Sequence, residues 1–210
     1  PTRCLNELER LLPVLGAEKV RKLTIETNDI NSRLTKQMAT VEDFCEYLEF
    51  LEALQKRQEE LQEQYSGVEE HYDLMQEQGV ATPASDLAEY RGVSIEFTNM
   101  KSNMDNSESR KAEDIDSFTL MLETNIKTLE ADRKESKNLS QDDIFLEYGD
   151  GTGIEASSEV MRKLTSLDEK ATELKETAEK IQNQQKLFNK HDPNSSGQVD
   201  RFEELKEVVD

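Results

Sequence analysis

The sequence has little of what a disulfide-linked or β-rich protein needs. Its 210 residues include two cysteines, four prolines and eight glycines. Two cysteines outside any Cys-x-x-Cys pair form no disulfide framework, so a reducing intracellular compartment is expected. So few prolines and glycines exclude a collagen-like or flexible linker chain. They also supply too few turns for an all-β domain.

Long apolar runs are also absent from the sequence. No stretch approaches the roughly 18–20 apolar residues that a membrane-spanning helix requires. No signal-peptide pattern opens the chain. The first residue is Pro1 rather than methionine, and we expect the chain to be a piece of a longer protein.

Basic residues are scarce relative to acidic ones. The chain has 26 Lys and Arg against 46 Asp and Glu, a formal net charge of -20. Binding to nucleic acid is driven by Lys and Arg that neutralise phosphates, so this balance argues against a nucleic-acid partner. Repulsion between this net negative charge and anionic lipids argues against binding to an anionic membrane surface.

Apolar residues are present in an unusual proportion and pattern. They make up 34% of the chain, below the roughly 45–50% of a typical globular domain, which argues against one large compact core. Their regular spacing argues equally against disorder. Amphipathic helices need only a narrow apolar stripe. The predicted fold is therefore all-α, an elongated bundle of long antiparallel amphipathic helices.

The clearest helical period runs from Val41 to Met75, where apolar residues recur at steps of three, four and seven. Thr40 is the expected N-cap and Gly79 the expected C-cap, with Pro83 blocking continuation. The pattern predicts one helix of about 35–40 residues. A shorter helix is predicted near 20–38, and a stub near 5–12.

Two further patterns follow Pro83. Leu87 to Leu129 keep helical spacing, with Ser85 as a candidate cap and a weak stretch at 102–109 that predicts one bent helix or two. Val160 to Phe188 form a heptad-like seam. A second stub is predicted around 202–209. Predicted loops lie near 79–85, 136–157 and 191–200.

The sequence offers few residues for chemistry. No glycine precedes a lysine, so a Walker A loop is excluded, and we interpret Gly149–Gly153 as a flexible loop. The histidines are His71 and His191, and the cysteines Cys4 and Cys45. Cys45 and His71 fall roughly 40 Å apart on one predicted helix, too far for a catalytic dyad. No catalytic, cofactor-binding or metal residue is predicted.

One segment matches an EF-hand template. Asp192–Glu203 places oxygen ligands at loop positions one, three, five, nine and twelve, with glycine at six. Serine at position five, proline at position two and the lack of a second loop depart from the template. The alternatives are a calcium site and a polar loop between helices.

Several segments, in order, resemble the tail of dynein heavy chains, especially axonemal ones. They are Leu12–Lys22, Val41–Leu54 (VEDFCEYLEFLEAL), Val68–Tyr90, Gln185–Phe188 and Phe202–Leu205. The order and spacing agree over most of the chain. Departures are Gln184 in place of a tyrosine, Arg-Gly-Val after Tyr90, and an insertion at 192–198 that creates the EF-hand-like string.

The resemblance implies a helical tail segment covering residues 1–210, just ahead of the linker domain. The ATP-hydrolysing ring and the microtubule-binding stalk of that family would lie far downstream, so no catalytic residue is carried over. Implied partners are other dynein heavy chains and intermediate and light chains, and indirectly microtubules. The implied location is the cytoskeleton of the cytoplasm, in the axoneme of a cilium or flagellum.

Three hypotheses remain open from the sequence. The first is a non-catalytic structural segment that scaffolds dynein subunits and connects the docking end to the linker. The second is a calcium-responsive coiled-coil adaptor that uses the loop at 192–203. The third is a spectrin-like spacer.

Overall fold

The computed structural model describes residues 2–141 and 154–191, with side chains at 7, 9–141 and 158–191. Within these ranges the chain forms five α-helices and no strand, so the predicted all-α class is confirmed. The helices are α1 (Thr2–Leu34), α2 (Val41–Lys56), α3 (Gln58–Glu77), α4 (Ala84–Ser140) and α5 (Ile154–His191). None of them is long and apolar enough to cross a membrane.

Helix α1 joins the predicted stub and the predicted short helix into one element. Pro13 lies inside it and provides no N–H for the bond to the preceding turn. The helix continues because residues on both sides of Pro13 pack against the same cluster. Leu12 is half-buried there, and Val20 and Leu23 are buried. Tertiary packing therefore outweighs the break that proline favours.

The predicted single helix over 41–79 is interrupted at Arg57, and this prediction was wrong. The Arg57 N–H bonds to the carbonyl of Leu54, three residues back, instead of four. The interruption falls in the polar stretch between Leu54 and Leu61, where no apolar residue needs a strict helical register. The Arg57 side chain bonds Glu26 of α1 and Glu60 of α3.

Both predicted caps of this region are confirmed. The Thr40 hydroxyl accepts a bond from the Asp43 N–H at 3.1 Å, and the Asp43 carboxylate accepts the Thr40 N–H in return. Gly79 has φ of +66°, and the N–H of Val80 reaches the carbonyl of Met75 at 2.9 Å. These are a capping box and a Schellman motif.

Helix α4 is one continuous helix, which agrees with one of the two predicted alternatives, but it differs from its prediction at both ends. The carbonyl of Pro83, instead of the side chain of Ser85, accepts the first N–H groups. The weak stretch at 102–109 is fully helical. Its polar residues have tertiary partners, since Asn103 donates to Asn31 and Ser107 accepts from Tyr47. The helix also continues to Ser140, five residues into the predicted loop at 136–157.

The chain divides into two compact units. Unit 1 contains residues 1–39 and 46–111, and unit 2 contains residues 40–45 and 112–210. The divisions fall within α2 and α4, so these two helices contribute residues to both units.

In unit 1, helix α3 runs antiparallel to both α1 and α4. Glu26 of α1 meets Arg57 near the start of α3, whereas Leu12 meets His71 near its end. Between α3 and α4, aromatic rings stack in two pairs with centroids 4.3 Å apart. The pairs are Tyr65 with Phe97 and Tyr72 with Tyr90. The buried apolar residues form two clusters: Ile30, Leu34, Leu51, Leu54, Leu61, Phe97 and Met100, and Val20, Leu23, Val68, Tyr72, Met75 and Val93.

In unit 2, Phe44 joins the start of α2 to α4 and α5. Its ring stacks on Phe118 with centroids 4.3 Å apart and meets Phe188 edge-on at 5.4 Å. All three side chains are buried, and Phe44 and Phe188 are fully inaccessible. Aromatic packing of this kind dominates the energetics of small cores.

The heptad-like seam of α5 is only partly buried. Toward its C-terminal end, Ala178, Ile181 and Phe188 are buried as predicted. Toward its N-terminal end, Leu164 is 46% exposed and Ala171 is exposed. The period therefore predicted the helix and its apolar face, but not how much of that face has a partner.

Candidate functional site

The residues considered for catalysis lie in separate structural settings. Cys45 is a half-buried residue of α2, beside Phe44. His71 is a half-buried residue of α3, and its Nε2–H donates a hydrogen bond to the carbonyl of Leu12 at 2.8 Å. The Cys4 side chain, the loop at Gly149–Gly153 and the EF-hand-like loop at 192–203 lie outside the described residues.

His71 holds α1 against α3 at a point that sequence reasoning missed. A Cβ atom on Gly16 would lie 2.9 Å from Cδ2 of His71, closer than side-chain carbons approach one another. Gly16 therefore permits the imidazole to reach the backbone of α1. The sequence did offer one signal for this contact. Gly16 lies inside a helical pattern, and a glycine in such a position often allows close packing.

Two ion pairs connect helices that are distant in sequence. Arg57 pairs with Glu26, and the hydrogen bonds that the guanidinium donates to Glu26 and, second in size, to Glu60 raise its pKa. In unit 2, Lys180 of α5 lies 2.7 Å from Glu42 at the start of α2. The hydrogen bond from Lys180 is the main cause of the lowered pKa of Glu42. Both pairs are solvent-accessible, so they fix geometry more than they add stability.

Unit 2 contains an open cleft of about 440 Å³ between α4 and α5. Its charged lining is mixed: Glu42, Asp132, Glu135, Lys170, Glu173 and Lys180. Leu129, Leu174 and Ile181 contribute apolar surface. In the part of the chain that the structure describes, no group of three or more metal-binding side chains occurs.

Unit 1 contains a groove of about 460 Å³ between α1 and α4. Arg21, Thr24, Ile25 and Asn28 line it from α1, and Glu89, Gly92, Val93, Ile95 and Glu96 line it from α4. Ile25 is 66% exposed and Ile95 is 62% exposed. The groove thus combines exposed β-branched apolar side chains with charged margins.

Helix-joining contacts and exposed apolar side chains are the main features of the described residues, and they define an all-α segment of packed amphipathic helices. The chain is similar to human "Dynein axonemal heavy chain 6", with 27% identity over 209 residues. The similarity covers 99% of this chain and 5% of the length of that relative. The resemblance to a dynein heavy-chain segment, first seen in the motifs, is thereby confirmed. No protein-family model matches the chain.

Proposed function

We propose that the chain is a non-catalytic structural segment of an axonemal dynein heavy-chain tail. In this role it scaffolds other dynein subunits and connects the docking end of the motor to its linker. The observation that carries the proposal is colinear similarity across 99% of the chain to an axonemal heavy chain. The parent protein would be an ATP-driven microtubule motor of the cilium or flagellum, with its ATPase ring outside this segment.

The positions of the motif residues support a structural role. Val41–Leu54 supplies Phe44, the residue at the centre of unit 2. Val68–Tyr90 supplies the Tyr72–Tyr90 stack in unit 1. The motifs thus contain the residues that join one helix to another, as expected if the family pattern preserves packing.

The acidic surface supports a role in holding other subunits. Most of the 46 acidic residues lie on the five described helices. Charged surfaces steer and orient partners more than they add affinity. Heavy, intermediate and light chains of an axonemal dynein are the proposed partners, and their binding should weaken as salt is added.

Co-sedimentation with dynein intermediate chains tests the proposal. We expect the 210-residue chain to co-sediment in a salt-sensitive manner. A matched chain with Phe44→Asp, which places a charge in the aromatic cluster, should fail to do so. Failure of the unaltered chain to bind heavy, intermediate or light chains would contradict the scaffolding role.

Two further measurements separate this proposal from the alternatives. Turnover of ATP by the isolated chain would contradict a non-catalytic role. A rise in melting temperature with added calcium would favour the adaptor that uses residues 192–203. Unchanged melting together with absent subunit binding would favour a spectrin-like spacer.

A further inference from the structure

The groove of unit 1 is built from two matching helix faces. On α1, Arg21, Thr24, Ile25 and Asn28 follow one another at steps of three, one and three. On α4, Glu89, Gly92, Val93 and Glu96 repeat the same steps. This spacing places each set on one side of its helix over two turns. Each wall of the groove therefore presents two helical turns, along which another helix can pack.

Gly92 forms an open notch in this groove. Glycine in a helix interior is less stable than alanine, because it loses more backbone freedom on folding. Gly16 has a reason within this chain, since a Cβ would strike His71, and Gly79 has one in its positive φ. A Cβ on Gly92 would meet no atom within 4 Å. The backbone of α4 is therefore open at this point to close approach by a partner that lies along the groove.

Two isoleucines border the notch and remain exposed. Ile25 of α1 is 66% exposed and Ile95 of α4 is 62% exposed. Val93, at the floor of the groove, is fully buried. An apolar stripe pressed onto Gly92 would cover both isoleucines and remove their apolar surface from water.

The charged margins of the groove indicate the chemistry of the occupant. The α4 margin has two carboxylates, Glu89 and Glu96, one heptad apart, whereas the α1 margin has the cation Arg21. Asn31 donates a hydrogen bond to Glu96 at 3.1 Å and holds that carboxylate in place. A second copy of this chain is disfavoured because each copy has a net charge of -20.

We infer that this groove binds an amphipathic helix of another polypeptide. The apolar stripe of the bound helix has a small residue over Gly92. On one side of that stripe the bound helix has two Lys or Arg residues, seven positions apart, opposite Glu89 and Glu96. An acidic residue on the other margin faces Arg21. The inference deepens the proposed scaffolding role and rests on it, because a subunit of the assembly would supply the helix.

Synthetic peptides provide the probe for this inference. One peptide of about 21 residues, long enough to hold a helix, has an alanine-centred apolar stripe and two lysines a heptad apart on its margin. A second peptide has the same composition, with the two lysines moved to the face opposite the stripe. Fluorescence anisotropy at 0.15 M salt should show about tenfold tighter binding of the first peptide. Equal affinities, or no binding, would overturn the inference.

Variants of the chain test whether the first peptide binds in the groove. Gly92→Leu fills the notch and should abolish binding of the first peptide. Gly67→Leu is the matched control, because Gly67 is also a helical glycine with open space around it, and it should bind normally. Replacing Glu89 and Glu96 by lysine should reverse the preference, so that a peptide with glutamates on its margin binds better. Unchanged binding by the Gly92→Leu chain would overturn the inference.

Two outcomes would separate this inference from a different occupant of the groove and from the proposed function. A concentration-dependent dimer in sedimentation, lost in the Gly92→Leu chain, would identify a second copy as the occupant and overturn the inference. Co-sedimentation with dynein subunits that survives Gly92→Leu would overturn the inference and leave the proposed function standing. Circular dichroism should show that each variant retains its helices.

Discussion

Gly16 and His71 approach so closely that a side chain on residue 16 would collide with the imidazole, at 2.9 Å from Cδ2. Alanine is a better helix former than glycine, so propensity alone favours Gly16→Ala by about 1 kcal/mol. The collision should outweigh this gain, because the imidazole must leave its bond to Leu12. We expect a net loss of about 1–3 kcal/mol in the free energy of unfolding by urea.

Gly67 supplies the opposite expectation. A Cβ there meets no atom within 4 Å, so Gly67→Ala should raise the free energy of unfolding by about 0.5–1 kcal/mol. Urea unfolding of the Gly67→Ala and Gly16→Ala chains, monitored by circular dichroism, provides the comparison. Equal shifts in the two variants would show that the contact with His71 does not constrain residue 16.

Tyr72 has a buried hydroxyl with no hydrogen-bond partner among the described residues. Burial is the main cause of the raised pKa of this phenol. Tyr72→Phe removes the unsatisfied group and keeps the ring stacked on Tyr90. We expect unchanged or increased stability, by up to about 1 kcal/mol in urea unfolding.

The matched substitution is Tyr65→Phe. Tyr65 also stacks on an aromatic ring, but its hydroxyl donates to Ser94 at 2.9 Å. Losing this bond should lower the free energy of unfolding by about 0.5–1.5 kcal/mol. A larger loss in Tyr72→Phe than in Tyr65→Phe would mean that the Tyr72 hydroxyl has a partner in solution.

Phe44 should be among the most sensitive positions of unit 2. It is fully buried and contacts the rings of both Phe118 and Phe188. Phe44→Ala leaves a cavity and should cost about 3–5 kcal/mol in the free energy of unfolding. Leu120→Ala is the control, since Leu120 is 67% exposed and should change stability by less than about 0.5 kcal/mol.

Glu42 gives unit 2 a small dependence on pH. The hydrogen bond from Lys180 lowers its pKa from the ordinary value of 4.5. The contribution to stability is therefore present above about pH 4.5 and is lost as pH falls through the lowered folded-state pKa. For an exposed pair we expect about 0.5 kcal/mol. The difference in urea stability between the unaltered and Glu42→Gln chains should shrink between pH 6 and pH 3.

Periodic patterns predicted the fold where one local rule decides the structure. Every apolar position predicted for the face from Val41 to Met75 is buried or half-buried, because burial drives the three-to-four spacing itself. Thr40 and Gly79 were predictable as caps because the relevant hydrogen bonds are made within a few residues. These features require no knowledge of the rest of the chain.

Other features depended on distant residues and were not predictable from spacing. The break at Arg57 coincides with a bond to Glu26, and the helical state of 102–109 with bonds from Tyr47 and Asn103. The close approach of Gly16 to His71 joins residues 55 positions apart in sequence. In each case a tertiary partner overrides the local preference.

Two of the boundaries that divide the chain into its two units fall within helices, at residues 45–46 of α2 and 111–112 of α4, instead of in a loop. A loop absorbs inserted residues, but a helix turns everything beyond an insertion by about 100° for each residue. One residue inserted after Lys111 would therefore rotate Phe118 away from Phe44. Insertions and deletions, which helical proteins usually accept in their loops, should be tolerated least at these two points of the chain.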